Sequence, residues 1–247
     1  MSKIALITGA SSGFGEATAR QLADNGWQLV IVARRLERLE LLKNELGNAV
    51  IECVCLDVRD RQGVKALLEP WNGKVDLLIN NAGLAAGLEM AWNASLDDWD
   101  LMIDTNIKGL TYVTRALLSG MVKKGQGHVI NMGSIAGSYN YPGGNTYGAS
   151  KAFVERFSMN LRSDLHGTGV RVTNIEPGMS ETEFSKVRFK GDVEKAKHLY
   201  KGTKALQPED IAASIVWCAS QPEHVNINRL EIMPTVQAFG ALPIARE

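Results

Sequence analysis

Tyr147 and Lys151 stand four residues apart in Asn145-Thr146-Tyr147-Gly148-Ala149-Ser150-Lys151, and Ser134 precedes Tyr147 by thirteen. On a helix that spacing puts both side chains on one face, one turn apart. A phenol in water titrates near pH ~10, too high for proton exchange at neutral pH. An ammonium fixed one turn away favours the phenolate and is expected to draw that value down. A serine hydroxyl delivered from a neighbouring strand end would hold the oxygen that gains or loses the proton. Such a trio suits carbonyl/alcohol redox chemistry, which needs a hydride carrier. The spacing alone is a weak sign, since tyrosine and lysine often fall four apart as a solvated pair.

The bulk numbers narrow the class. The chain has 247 residues, 45% of them apolar, enough for a sizeable core. Lysine plus arginine balances aspartate plus glutamate at 27 each, which argues against nucleic acid or an anionic membrane as partner. Cys53 and Cys55, two apart in an apolar run, read with Cys218 as buried reduced thiols. His128, His166, His198 and His224 lie too far apart for metal-ligand spacing, so no metal is expected. Met1-Ser2-Lys3 runs straight into a short apolar stretch, and no run approaches the ~20 residues of a bilayer span. The expectation is a soluble cytoplasmic protein.

The elements that must position the trio are regular. Lys3–Thr8 (KIALIT) reads as a buried strand, followed by a helix through Leu22 that stops at Asn25-Gly26. Trp27–Ala33, Ala49–Leu56, Val75–Ile79, His128–Met132, Val170–Ile175 and Ile227–Met233 read as further strands. Helices are expected over Arg34–Leu46, Gly63–Glu69, from the cap Ser95 through Asn106 to about Lys123, from Tyr147 to about Leu165, and over Pro208–Ala219. Thr182–Lys204 is polar and reads as a mobile loop, and the chain ends in a tail with Pro234 and Pro243. Strands alternating with helices at this spacing mean an α/β fold: one domain, residues 1–247, with a Rossmann-like, doubly wound parallel sheet.

Gly9, Gly13 and Gly15 fall between the first strand and the first helix, where glycine lets the backbone turn tightly against a pyrophosphate. At the end of the second strand, where an acidic residue would bond a free ribose 2′-hydroxyl, stand Ala33-Arg34-Arg35. Two guanidiniums suit a 2′-phosphate, and cations are unfavourable at a helix start, so the expected carrier is NADP(H).

Together these residues resemble the classical short-chain dehydrogenase/reductase family over essentially the whole chain. Thr8-Gly9-Ala10-Ser11-Ser12-Gly13-Phe14-Gly15 is similar to its T-G-x-x-x-G-x-G cofactor loop, and Asn80-Asn81-Ala82-Gly83 to its N-N-A-G strand end. Asn106, Ser134, Tyr147 and Lys151 match its catalytic tetrad in order, and Pro177-Gly178 its turn near the nicotinamide. The resemblance implies Tyr147 as acid/base, Lys151 as its activator and a ribose contact, Ser134 as the group that orients the carbonyl, and Asn106 as holder of a water. It implies Asp57-Val58 at the adenine, Thr182 at the cofactor, and a homodimer or homotetramer.

A closer resemblance, through Thr182–Gly191 and the loop Asn140–Asn145, is to the branch of NADP-dependent serine and 3-hydroxy-acid dehydrogenases, which includes sulfoacetaldehyde reductases. It implies a small anionic aldehyde or hydroxy acid as substrate. An anion beside the carbonyl needs a cation, and Arg188 is the candidate, with Tyr139, Asn140 and Tyr141 adding hydrogen bonds.

Overall fold

The computed structural model describes residues 2–240; Met1 and residues 241–247, with the tail residue Pro243, lie outside the described residues. Strands Ile4–Thr8 (β1), Gln28–Ala33 (β2), Val50–Cys55 (β3), Leu77–Asn80 (β4), Gly127–Met132 (β5), Val170–Pro177 (β6) and Arg229–Ile232 (β7) form one sheet. Every pairing is parallel, in the order β3-β2-β1-β4-β5-β6-β7.

Alternation along each strand feeds two cores. Ala5 and Ile7 of β1, with Leu29 and Ile31 of β2, pack under helices Gly13–Asp24 (α1), Leu36–Leu46 (α2) and Pro208–Ser220 (α9). Leu6, Val30 and Val32 face the other way. They meet helices Arg61–Leu68 (α3), Leu110–Lys124 (α5) and Asn145–Asp164 (α6). β1 pairs with β2 on one side and β4 on the other, and the chain, having run outward to β3, crosses back to β4, so a crevice opens beyond the carboxyl ends of β1 and β4. Thr8 stitches its floor: its hydroxyl accepts from Asn81 N at 3.1 Å and Ala82 N at 3.0 Å. Gly9 follows at φ +68°, where an added Cβ would meet Asn81 Nδ2 at 2.8 Å, so the turn admits no side chain.

Three departures from the sequence reading bear on the site. The long helix after Ser95 is Leu96–Ile103 (α4) and α5 joined by a π-helical turn, Asp104–Gly109, that carries Asn106. Such a turn inserts a residue into the ladder, which the apolar period does not register. Arg34 and Arg35 precede α2 rather than open it, since the helix starts at Leu36. The stretch read as a mobile loop carries two helices, Phe184–Arg188 (α7) and Val193–Tyr200 (α8). The Ser185 and Tyr200 hydroxyls join α7 to α8, and Tyr200 donates to Ser180 O at 2.8 Å. These are tertiary bonds, invisible to local pattern.

The cysteine expectation also needs correction. Cys218 is buried, but Cys53 is half-buried and Cys55 exposed, because β3 is the sheet's edge strand. All three are free thiols. Among the described residues no helix is long and apolar enough to cross a membrane, and no cluster of metal-ligating side chains occurs.

Candidate active site

The trio converges at the carboxyl end of β5. Tyr147 sits in the first turn of α6, 8% exposed, with Lys151 one turn on at 7%. Lys151 Nζ donates to Met132 O, the last residue of β5, at 2.8 Å and lies 5.8 Å from the Tyr147 ring centroid. Ser134 follows β5; its Oγ accepts from Ala136 N at 3.1 Å, and its hydroxyl acts on the Tyr147 phenol to favour the phenolate. Asn106 completes the cluster from the π-helical turn. Its Nδ2 donates to Leu84 O at 2.8 Å and Ser150 Oγ at 3.0 Å, and its Oδ1 accepts from Leu84 N at 2.9 Å. Both amide donors are thus engaged within the protein. The side chain clamps the segment after β4 onto α6, leaving at most one acceptor lone pair for the expected water. Gly83 lies against the same cluster: a Cβ there would be 3.2 Å from Asn106 Oδ1 and 3.5 Å from Lys151 Nζ.

The electrostatics differ from the simple expectation. Burial pushes the Tyr147 phenol up to about 12, while the Ser134 hydrogen bond and the Arg188 charge pull it down. Lys151 does not dominate, because its ammonium points to the Met132 carbonyl and is itself desolvated, falling to about 8. Tyr147 is therefore held protonated at neutral pH, ready to donate.

The lysine's cost has a measurable sign. Its folded value lies below the unfolded 10.5, so between about 8 and 10.5 the unfolded chain binds more protons and stability rises with pH. Below that window the penalty is complete. Lys151→Met is therefore expected to melt a few degrees higher than the wild type at neutral pH, at roughly 2–4 °C per kcal/mol for a chain of this size. The orphaned Met132 carbonyl offsets part of the gain. Scanning calorimetry should show the advantage shrinking as pH rises from about 8 to 10.5 and gone above that window; a gain independent of pH would mean that burying this ammonium costs nothing.

The crevice beyond β1 and β4 has the form of a phosphate cradle. Ser12 occupies the N-cap of α1 without capping it, which leaves the first-turn amides to other acceptors. Its hydroxyl accepts from Arg35 Nη2 at 3.1 Å instead, and Ser11 Oγ accepts from Arg35 Nη2 at 3.1 Å and Nε at 3.3 Å. The crowding around Gly9 extends to Gly15, where a Cβ would lie 2.5 Å from Gly9 O. Phe14 packs into the α1-side core. Thr182 closes over the loop, 3.6 Å from where a Cβ on Gly13 would be. Arg34 stands apart, 63% exposed, its Nη1 4.0 Å from Asp57 Oδ2. Asp57 is held by Arg59 at 2.6 Å, and Val58 packs against Gly109. Pro177 ends β6, and Gly178 N donates to Ile232 O at 2.7 Å. Glycine cradle, open helix amides and clustered guanidiniums fit a dinucleotide bearing a 2′-phosphate.

Arg188 reaches the reaction centre from α7. Its Nη2 donates to Tyr141 Oη at 2.8 Å, and its guanidinium lies 5.5 Å from the Tyr141 ring centroid and 5.6 Å from that of Tyr147. Tyr139 points elsewhere, donating to Glu231 Oε1 at 3.2 Å and packing on Phe239. Asn140 is exposed. Three residues to which the sequence reading gave no role also meet here. Phe184 packs on Tyr147 at 5.6 Å between centroids, and Glu183 pairs with Arg35 at 3.4 Å and with Arg38 at 2.9 Å. Arg38 lies one turn from Arg34, a spacing that could have marked it; nothing local marks Glu183.

The sequence model of the short chain dehydrogenase family matches residues 3–192, and the chain belongs to that family. It is 55% identical to the NADP-dependent 3-hydroxy acid dehydrogenase YdfG of Salmonella typhi, over 98% of this chain and 99% of that protein. It is 50% identical to sulfoacetaldehyde reductase 2 of Chromohalobacter salexigens over the whole of both. Among solved structures, the closed form of a serine dehydrogenase complexed with NADP+ superimposes with a TM-score of 0.96 at 52% identity, covering 99% of this chain and 100% of that one.

Proposed function

We propose that this chain is an NADP(H)-dependent oxidoreductase that interconverts a short anionic hydroxy compound and its aldehyde. Relatives named as an NADP-dependent 3-hydroxy acid dehydrogenase and a sulfoacetaldehyde reductase, and a serine dehydrogenase structure that holds NADP+, support the reaction and the cofactor. The observation that carries the substrate class is the Arg188 guanidinium, 5.6 Å from the Tyr147 ring centroid.

NADPH, when bound, supplies the hydride. Its phosphates fit the amides of Gly9–Gly15 with Ser11 and Ser12, its 2′-phosphate Arg34 and Arg35, its adenine Asp57 and Val58. Asn81, Ala82, Gly83, Pro177, Gly178 and Thr182 surround the remainder. Ser134 would hold the substrate carbonyl oxygen beside the Tyr147 hydroxyl, which gives that oxygen its proton. Lys151, its Nζ held by the Met132 carbonyl, would contact the nicotinamide ribose of a bound cofactor. Arg188, aided by Tyr141 and Asn140, holds the carboxylate or sulfonate. A cytoplasmic homo-oligomer belongs to the same reading by family likeness; a monomer by light scattering would remove the oligomer.

Following NADPH oxidation with sulfoacetaldehyde, malonic semialdehyde and an uncharged aldehyde of similar size tests the proposal. One anionic aldehyde is expected to exceed the uncharged one in kcat/KM by at least about tenfold, as a charge-assisted hydrogen bond implies. Equal use of the uncharged aldehyde would make this a general carbonyl reductase.

A further inference from the structure

Three consecutive residues before and within α7 touch three different parts of the crevice. Thr182 covers Gly13 of the phosphate loop, Glu183 pairs with Arg35 and Arg38 at the end of β2 and start of α2, and Phe184 packs on Tyr147. The far end of the segment is also tied down: Gly87 N donates to Arg188 O at 3.0 Å, and Lys190 Nζ pairs with Asp98 at 2.8 Å. The segment therefore bridges the two halves of the sheet across the crevice, anchored on each bank by an ion pair.

The two arginines that sequence assigns jointly to the 2′-phosphate do different things. Arg35 directs Nε and Nη2 at Ser11 and Ser12 and Nη1 at Glu183, so most of its donors are engaged within the protein. Among the described residues the Arg34 guanidinium pairs with Asp57 alone, at 4.0 Å, and is 63% exposed, which suits an incoming phosphate. Burial disfavours the charged Glu183, but Arg38 and Arg35 hold its carboxyl below the usual range, so it is ionised at neutral pH.

We propose that Glu183 is a positioning residue that closes an ionic strap, Arg35–Glu183–Arg38, over the phosphate loop and slows release of the cofactor beneath it. The assignment rests on the reading of the crevice as the NADP(H) site. A carboxylate beside a phosphate site would by itself repel the ligand. Here it faces two guanidiniums, and its position directly after Thr182 makes the pairing a fastening rather than a competitor. Cofactor leaves only when the pair opens, while Phe184 and Arg188 move with the same segment. Departure of the cofactor and exposure of Tyr147 are thereby linked.

The test is the dissociation rate of NADPH from the full-length protein. It is measured by stopped-flow fluorescence after mixing the loaded protein with excess NADP+, for wild type, Glu183→Gln, Arg38→Gln and the double variant. Side chains about 40% exposed hold a screened pair, so each single variant is expected to speed release by about twofold to fivefold. The double variant should be no faster than the faster single, because both remove the same pair. Added salt should accelerate the wild type more than Glu183→Gln. Release from Glu183→Gln at the wild-type rate, or slower through relief of repulsion, overturns the strap, as does full additivity with Arg38→Gln. A wild type that does not retain NADPH at all would strike down the cofactor reading and the strap with it.

Discussion

Tyr147→Phe is expected to lower turnover by about 10²- to 10⁴-fold, the range a positioned general acid supplies, while NADPH binding stays near the wild-type value. The substitution removes one hydroxyl and keeps the ring, so the packing on Phe184 and beneath Arg188 persists. The interaction with the Ser134 hydroxyl is lost with it. The folded state should barely notice, and burial without a hydroxyl to satisfy offsets the lost bond. Steady-state kinetics beside a fluorescence titration of NADPH separate the outcomes: turnover close to wild type would end the acid/base assignment. The phenol pushed up to about 12 adds a pH signature. Reduction needs the proton on Tyr147 and should stay level through the neutral range. Oxidation needs it removed and should climb toward alkaline pH.

That signature also shows where sequence reasoning reached its limit. The face shared by Tyr147 and Lys151 follows from helical spacing, and α6 carries both as expected. The charge that Lys151 would bring to bear does not follow, because it depends on where Nζ points. The carbonyl of Met132, nineteen residues earlier, captures it. The parallel, doubly wound class was legible for a similar reason: alternating β and α segments with short connections admit few topologies, and seven parallel strands realise that one. The edge position of β3, and with it the exposure of Cys55, is a property of the assembled sheet.

The segment after β6 was the least legible part. Its charge density reads as solvated loop, yet α7 and α8 form there through bonds among Ser180, Ser185 and Tyr200. Glu183 shows the general difficulty. Its partners Arg35 and Arg38 lie nearly 150 residues away in sequence, at separations of 148 and 145. No window of periodicity spans that distance. Arg188 was singled out because the chemistry of an anionic substrate demands a cation somewhere, which is an argument from the ligand rather than from pattern.

Arg188→Ala is the second large effect. Truncation removes a guanidinium that lies against Tyr147 and Tyr141 and leaves an anionic substrate with no charged partner. A hydrogen bond to a charged group contributes about 1.5–3 kcal/mol, so kcat/KM for the preferred anionic aldehyde should fall about 10- to 150-fold. Arg188→Lys should recover only part of this, since an ammonium keeps the charge and loses the fork. The same side chain also donates to Gly87 O at 3.4 Å, and its backbone carbonyl accepts from Gly87 N. A loss could therefore come from loosening α7 rather than from losing the clamp. The uncharged aldehyde distinguishes these causes. Loosening the segment over Tyr147 would depress charged and uncharged substrates alike, because both need the same enclosed acid. Loss of the clamp would depress the anion alone, and the margin between the two aldehydes would collapse. Equal losses would assign Arg188 to holding α7 in place and leave the anion to be recognised elsewhere.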